Sequence, residues 1–409
     1  MADMKGFIKL LNSQSRGVDL LKKTFLHCLN NGSATIPEIA KTLNHSVPAI
    51  TKHVMDLCDM DYFIDLGKVE AKEGRPANRY GINADSCFFI GVDIRQLSLN
   101  IGIMNLAGEI IKLDFDKTFI LEDTREVLDD ICKRVNQFIS SVCVENNSVS
   151  RDKIFNINVN IGGRVNSDTG YSFSLFNTGE KPLSEVIGSK LKQSVTIEND
   201  TRAMAYGEFK HKNNTNINNM LFVNVGYGIG MGLIINGEIY GGKSGFAGEF
   251  GHMSVFNNEV ICFCGKKGCL ETEISCKALL RKVRIKMENG SESTLSKKVA
   301  KNKQITIYDI LDAVNKNEDM LCIEIVEEIG AKLGRQLANM INLFNPDKIV
   351  IGGLLSTTGD YLLHPIITNI NKYAFTLVSK DTKIAISELQ HKAGVIGACM
   401  LARDQVIRI

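Results

Sequence analysis

Residues 245–275 read GFAGEFGHMSVFNNEVICFCGKKGCLETEIS. His252 is followed by Cys262-x-Cys264 and then by Cys269. One imidazole and three thiols at this spacing suit a tetrahedral zinc site. Four protein ligands close the coordination sphere, so the Zn2+ expected here is structural rather than water-activating. Gly265 and Gly268 supply the tight turns that a short thiolate loop needs. The bland alternative is a set of unrelated cysteines acting as small hydrophobes; spacing and glycines favour the metal. Glu249, Glu271 and Glu273 crowd the same stretch. A stapled loop that holds carboxylates still is a platform for gripping hydroxyl groups.

Outward from this loop, the bulk numbers set bounds. A chain of 409 residues is too long for one simple core, and two or three domains are expected. Its 44% hydrophobic and 23% charged residues are ordinary for a soluble globular protein. The net charge of +2 does not announce a nucleic-acid partner. Eleven cysteines, an odd and scattered set, fit the reduced thiols of a cytoplasmic protein. No basic segment followed by an apolar one opens the chain, so no signal peptide is expected. The most apolar stretch, 220–242, is broken by Asn224, Asn236, Glu238 and glycines, and no membrane span is expected.

The first eighty residues carry helical periodicity. Val18, Leu21, Phe25, Leu26 and Leu29 mark one helix face, and Asn31-Gly32 stops it. Thr35 can cap a second helix, with Pro37 and Glu38 in its first turn and Ile39, Ala40 and Leu43 on its buried side. After a short turn at Asn44-His45, Ser46 can cap a third, with Ile50, Val54 and Leu57 pointing inward. Two short helices joined by a tight turn predict a helix-turn-helix, with Ser46, Ala49, Thr51, Lys52 and His53 exposed for DNA. Tyr62-Phe-Ile-Asp and the return strand near Tyr80 complete a winged helix-turn-helix, whose Arg75 and Arg79 can reach phosphates or a minor groove. A helical dimerisation module is the competing reading. Residues 1–82 hold 11 Lys/Arg against 9 Asp/Glu, less basic than most DNA-binding domains.

From Cys87 the pattern becomes α/β. Cys87-Phe-Phe-Ile-Gly-Val-Asp-Ile starts a buried strand, and a second follows from Leu97 to Met104. Met220-Leu-Phe-Val-Asn-Val-Gly-Tyr-Gly-Ile-Gly-Met-Gly restarts the same strand–turn–strand pattern. Two similar lobes are therefore expected, each a mixed sheet flanked by helices. Helices are predicted near 124–142, 320–342 and 393–403, and a strand at Val195-Thr-Ile-Glu-Asn-Asp feeds another helix. The stretches 211–219 and 287–304 read as exposed loops or loosely held helices.

Gly-Glu-Phe-Gly-His at 248–252, then Cys-x-Cys-Gly-x-x-Gly-Cys-x-Glu at 262–271, resembles the signature of the ROK family of repressors, open reading frames and sugar kinases. The resemblance implies an actin-like (sugar kinase, RNase H-like) two-lobed domain over 83–409, behind a DNA-binding domain at 1–82. Lobe one would run over about 83–205 plus the C-terminal helix 393–409, and lobe two over about 206–392. It implies that Asn199, Asp200, Glu249, His252 and Glu271 hold a sugar, Asp200 matching the kinases' general base. Family kinases carry Asp-x-Gly-Gly-Thr after the first strand. Here the chain has Asp93-Ile-Arg-Gln-Leu-Ser, so Arg95 and Gln96 replace both glycines. Without that phosphate cradle no phosphoryl transfer is expected, and Asp200 would be a vestigial base. The expected function is a cytoplasmic transcriptional repressor, a homodimer or homotetramer on operator DNA, released by a sugar or sugar phosphate. Two alternatives stand beside it: a sugar kinase with a fused DNA-binding head, and a repressor governed by a sugar-transport protein.

Overall fold

The computed structural model describes residues 16–69, 76–211, 216–301 and 303–407. Two compact units divide the chain. The first takes residues up to 161, 170–197 and 398 onward; the second takes Gly162–Thr169 and Glu198–Gly397.

Three helices open the first unit: Arg16–Asn31, Ile36–Leu43 and Val47–Asp59. Thr35 and Glu38 form a capping box, the Thr35 hydroxyl accepting from the Glu38 N–H and the Glu38 carboxylate accepting from the Thr35 N–H. Asn44 ends the second helix in the left-handed region, φ 56°, which an Asn side chain tolerates. Three residues, 44–46, thus connect the helix pair. Ser46 stands at the third helix's N-cap as predicted, exposed, but makes no side-chain cap bond. A three-stranded sheet follows, ordered Ala34–Thr35, Ala77–Ile82, Phe63–Val69. Phe25 stacks on Phe63 beneath it at 6.4 Å between ring centroids.

This head is no separate bead. Its core of Leu21, Phe25, Ile39, Ile50, Val54 and Leu57 runs without a break into Cys87, Phe89, Leu106, Ala402 and Ile407. Apolar continuity is why the first compact unit extends across the 82/83 boundary.

The rest of the first unit is built on a five-stranded sheet. Strand Phe88–Arg95 lies at its centre, pairing antiparallel with Ser98–Asn105 and parallel with Ile154–Ile161. Ile110–Asp116 and Val195–Asn199 form the edges. In the second unit, Met220–Val225 holds the centre, antiparallel to Ile229–Ile235 and parallel to Lys348–Gly352. Glu238–Ile239 and Lys383–Ile386 are its edges. Both sheets repeat one plan: a central strand, its hairpin partner on one flank and a parallel strand on the other. The repeat read from the sequence is therefore real at the level of topology. Helix Met320–Phe344 packs closely on helix Asp360–Tyr373 at Gly330 and Gly334, and its Ile329, Leu333 and Leu337 lie in the core that the second sheet shares. Helix Asp200–Lys210 groups with the second unit, because its Ala205 and Thr201 pack against strand Ile229–Ile235. Among the described residues no helix is long and apolar enough to cross a membrane.

Candidate metal centre and ligand site

The predicted metal ligands meet. One donor atom each from His252, Cys262, Cys264 and Cys269 lies within 4.8 Å of the others. His252 Nδ1 stands 3.5 Å from Cys262 Sγ, and Cys264 Sγ stands 3.6 Å from Cys269 Sγ. Zinc bonded to sulfur at about 2.3 Å and to nitrogen at about 2.0 Å implies tetrahedral edges of about 3.5–3.8 Å. Four residues of this chemistry at this spacing fit a divalent, thiophilic ion. Gly268 turns the loop at φ 78°, and a Cβ there would strike the Phe256 carbonyl. Burial and the two neighbouring thiols push the Cys269 thiol up to about 12, so it needs a partner as strong as a cation to ionise.

Beneath the loop lies an ionic network. Glu273 Oε2 accepts from Lys282 at 2.8 Å and from Lys332 at 2.7 Å, and both lysines also reach Glu328. Burial alone would raise the Glu273 carboxyl; the two lysines hold it down at about 2. Lys332 also lies over the Phe256 ring at 5.5 Å. The carboxylate that the sequence placed in a crowd of three is thus spent on the scaffold.

The other two point elsewhere. Glu249 Oε2 stands 3.6 Å from His252 Nε2, so this imidazole offers one nitrogen to the thiols and the other to a carboxylate. Glu271 Oε2 accepts from the Ile229 N–H at 3.0 Å, at the turn between the second unit's central hairpin strands. Asn199 caps helix Asp200–Lys210, its side-chain oxygen accepting from the Arg202 N–H, and its amide donates to the Gly163 carbonyl at 3.0 Å. Asp200 Oδ1 accepts from the Thr201 N–H at 2.8 Å and from the Asn199 amide at 3.0 Å. A Cβ on Gly162 would stand 3.7 Å from Asp200 Oδ2. The structure therefore joins Asn199 with Asp200, and Glu249 with His252, and puts Glu271 on the glycine turn. Beside the first pair, the Arg202 guanidinium donates to Glu198 and to the Val165 and Gly245 carbonyls. No local spacing in the sequence marks Arg202.

In the first unit, Arg95 Nε donates to Asp93 Oδ2 at 2.6 Å, and Asn100 donates to the same oxygen at 3.0 Å. Asp93 is fully buried. Arg95 pairs with Ser98 across the hairpin, leaving Gln96 and Leu97 as its turn. Tyr227, in the second unit's turn, packs against that unit's core, and burial pushes its phenol up to about 12.

On the third helix of the head, Ser46 and Lys52 are exposed and Ala49 and Thr51 half-buried. The Thr51 hydroxyl donates back to the Val47 carbonyl. His53 is tucked in, its side chain 15% exposed, and burial lowers its pKa. Val47 and Met55, which the sequence reading passed over, are exposed on this helix. Arg79 lies 3.4 Å from Glu38, on the capping box. Arg75 lies outside the described residues.

A profile of the ROK family matches residues 89–405. A glucokinase of Halalkalibacterium halodurans is 31% identical over 78% of this chain and 96% of the enzyme. A xylose repressor of Caldicellulosiruptor bescii is 26% identical over 93% of this chain and 94% of that protein. The crystal structure of a ROK family transcriptional regulator, a homologue of the E. coli MLC protein, superposes with a TM-score of 0.79 at 24% identity, covering 96% of this chain and 97% of that one. These matches carry the mixed α/β, actin-like sugar-kinase fold.

Proposed function

The chain belongs to the ROK family, and from that premise we propose a sugar-responsive transcriptional repressor. Its head is a winged helix-turn-helix that binds operator DNA. Its second unit holds a sugar or sugar phosphate, and that ligand releases the DNA. One observation carries this reading. The glucokinase match spans nearly all of that enzyme yet only 78% of this chain, whereas the xylose repressor match spans 93%. The additional length fits the head, with its paired helices, three-residue connection and adjoining sheet.

On operator DNA, Ser46, Ala49, Thr51 and Lys52 face the groove, Lys52 reaching a phosphate. Val47 and Met55 add apolar contacts of the kind that thymine methyl groups accept. Arg75 and Arg79 serve the wing. Asn199, Asp200, Glu249, His252 and Glu271 offer the carboxylates, amide and imidazole that a polyol's hydroxyls need. His252, Cys262, Cys264 and Cys269 hold Zn2+, which when bound supplies a rigid anchor for the loop carrying Glu249 and Glu271. Asp93 is neutralised by Arg95, at the end of the strand where family kinases carry glycines, which supports a regulator without phosphoryl transfer. The protein acts in the cytoplasm as a homodimer or homotetramer. A sugar shifts the DNA-bound population only as far as its affinities for the two forms differ. A sugar-transport protein is a second route to the same release.

Fluorescence anisotropy on promoter fragments, with and without monosaccharides and their phosphates, tests the reading. Specific binding that weakens at least tenfold with one sugar is expected. Binding to no fragment above background, or turnover of ATP on a hexose, overturns it. Lys52→Ala should weaken binding on all sequences and lower the salt slope by about one.

A further inference from the structure

Resting on the sugar-site reading above, we infer that Arg202 is the positioning residue that sets the ligand groups in register. Arg202 and Glu198 are each only 4% exposed. Nε and Nη2 of Arg202 both reach Glu198 Oε1, at 2.7 and 2.6 Å. Nη2 also donates to the Val165 carbonyl at 2.8 Å, and Nη1 donates to the Gly245 carbonyl. One guanidinium therefore holds backbone from two separate loops. The first, Gly162–Thr169, receives the Asn199 amide at Gly163. The second leads from Gly245 into Glu249 and His252.

Glu198 closes the ring from the other side. The oxygen that takes Arg202 also accepts from the Asn199 N–H at 2.7 Å. The Arg202 N–H in turn donates to the Asn199 side chain at 3.0 Å. A third tie joins the loops directly: Asn166 donates to the Ser244 carbonyl at 3.2 Å. Asn199 and Asp200 on one side, and Glu249 and His252 on the other, are thus fixed relative to one another through a buried planar fork. Lysine cannot copy this, because a point ammonium lacks the rigid spread of donors. Buried carbonyls that lose their donor must find water, and the loops then move.

Arg202→Ala alone leaves Glu198 buried and uncompensated, so misfolding would mask the effect. The informative variant is Glu198→Gln with Arg202→Met, which removes both charges and keeps the volume filled. Hydrogen exchange of the intact variant should show lost protection in peptides covering 162–169 and 241–252 together. Its monosaccharide Kd should rise by about tenfold or more, while bound zinc and Tm stay near wild type. Arg202→Lys should fall between. Unchanged exchange in both loops of the folded double variant overturns the inference. So does an unchanged Kd. If wild-type protein binds no monosaccharide or sugar phosphate, the functional reading fails, and the exchange data still judge the brace.

Discussion

The two central hairpins share one topology and hold their turns by opposite means. In the first unit, the turn after Asp93 is secured by side chains: Arg95 and Asn100 both donate to the Asp93 carboxylate. In the second, the turn after Val225 is held at its backbone N–H groups, one of them by a carboxylate from outside the hairpin. Gly226 donates to the Gly228 carbonyl, and Ile229 donates to Glu271, two residues past Cys269 of the candidate metal cluster. Retained glycines in the second turn therefore have structural work independent of any nucleotide. A Cβ on Gly228 would stand 2.9 Å from Glu271 Oε2. Gly353, at φ 86°, would drive a Cβ into Asn224 and Val225. A motif that keeps its glycines is thus weak evidence for phosphate binding, whereas one that has lost them is informative.

The sharpest way to break this comparison is to remove the metal. Cys264→Ser should lose the bound zinc and destabilise the second unit by about 4 kcal/mol or more. Exchange at the Ile229 amide should accelerate while strand Phe88–Arg95 stays protected. Full zinc content by elemental analysis, with an unchanged Tm, would remove the ligand assignment. Next comes Arg95→Ala, which strips a buried carboxylate of its counter-charge. Urea unfolding should show a loss of roughly 3 kcal/mol, largely restored by adding Asp93→Asn. A loss below about 0.5 kcal/mol would mean that side chains do not hold the first turn. The smallest effect is expected from Gly353→Ala, about 2 kcal/mol by the same measurement. A neutral result there would return the glycine to a ligand-binding explanation.

Local chemistry explains how much of this was legible beforehand. That His252, Cys262, Cys264 and Cys269 would meet could be read because the four sit close in sequence and only a few residue types bind zinc. The capping of helix Ile36–Leu43 could be read because Thr35 and Glu38 are three residues apart. Helix ends were less accurate: Glu145 and Phe344 each lie beyond the predicted stop, and the second end was marked in the sequence by Asn345, which takes the left-handed C-cap, and by Pro346. Arg202 was invisible, because its partners Val165 and Gly245 lie 37 and 43 residues away and are backbone carbonyls. His53 was misread as exposed, since helical spacing does not reveal which neighbours cover a face. Arg79 likewise had an acidic partner, Glu38, 41 residues away.

The unbroken apolar seam between head and body has a practical corollary. Repressors are often imagined as interchangeable modules, a reader clipped to a sensor. Here Phe89 and Ala402 belong to the head's own interior. A chimera cut at residue 82 would expose that interior. A working transplant must carry the first strand of the body and the last turns of the C-terminal helix along with the head.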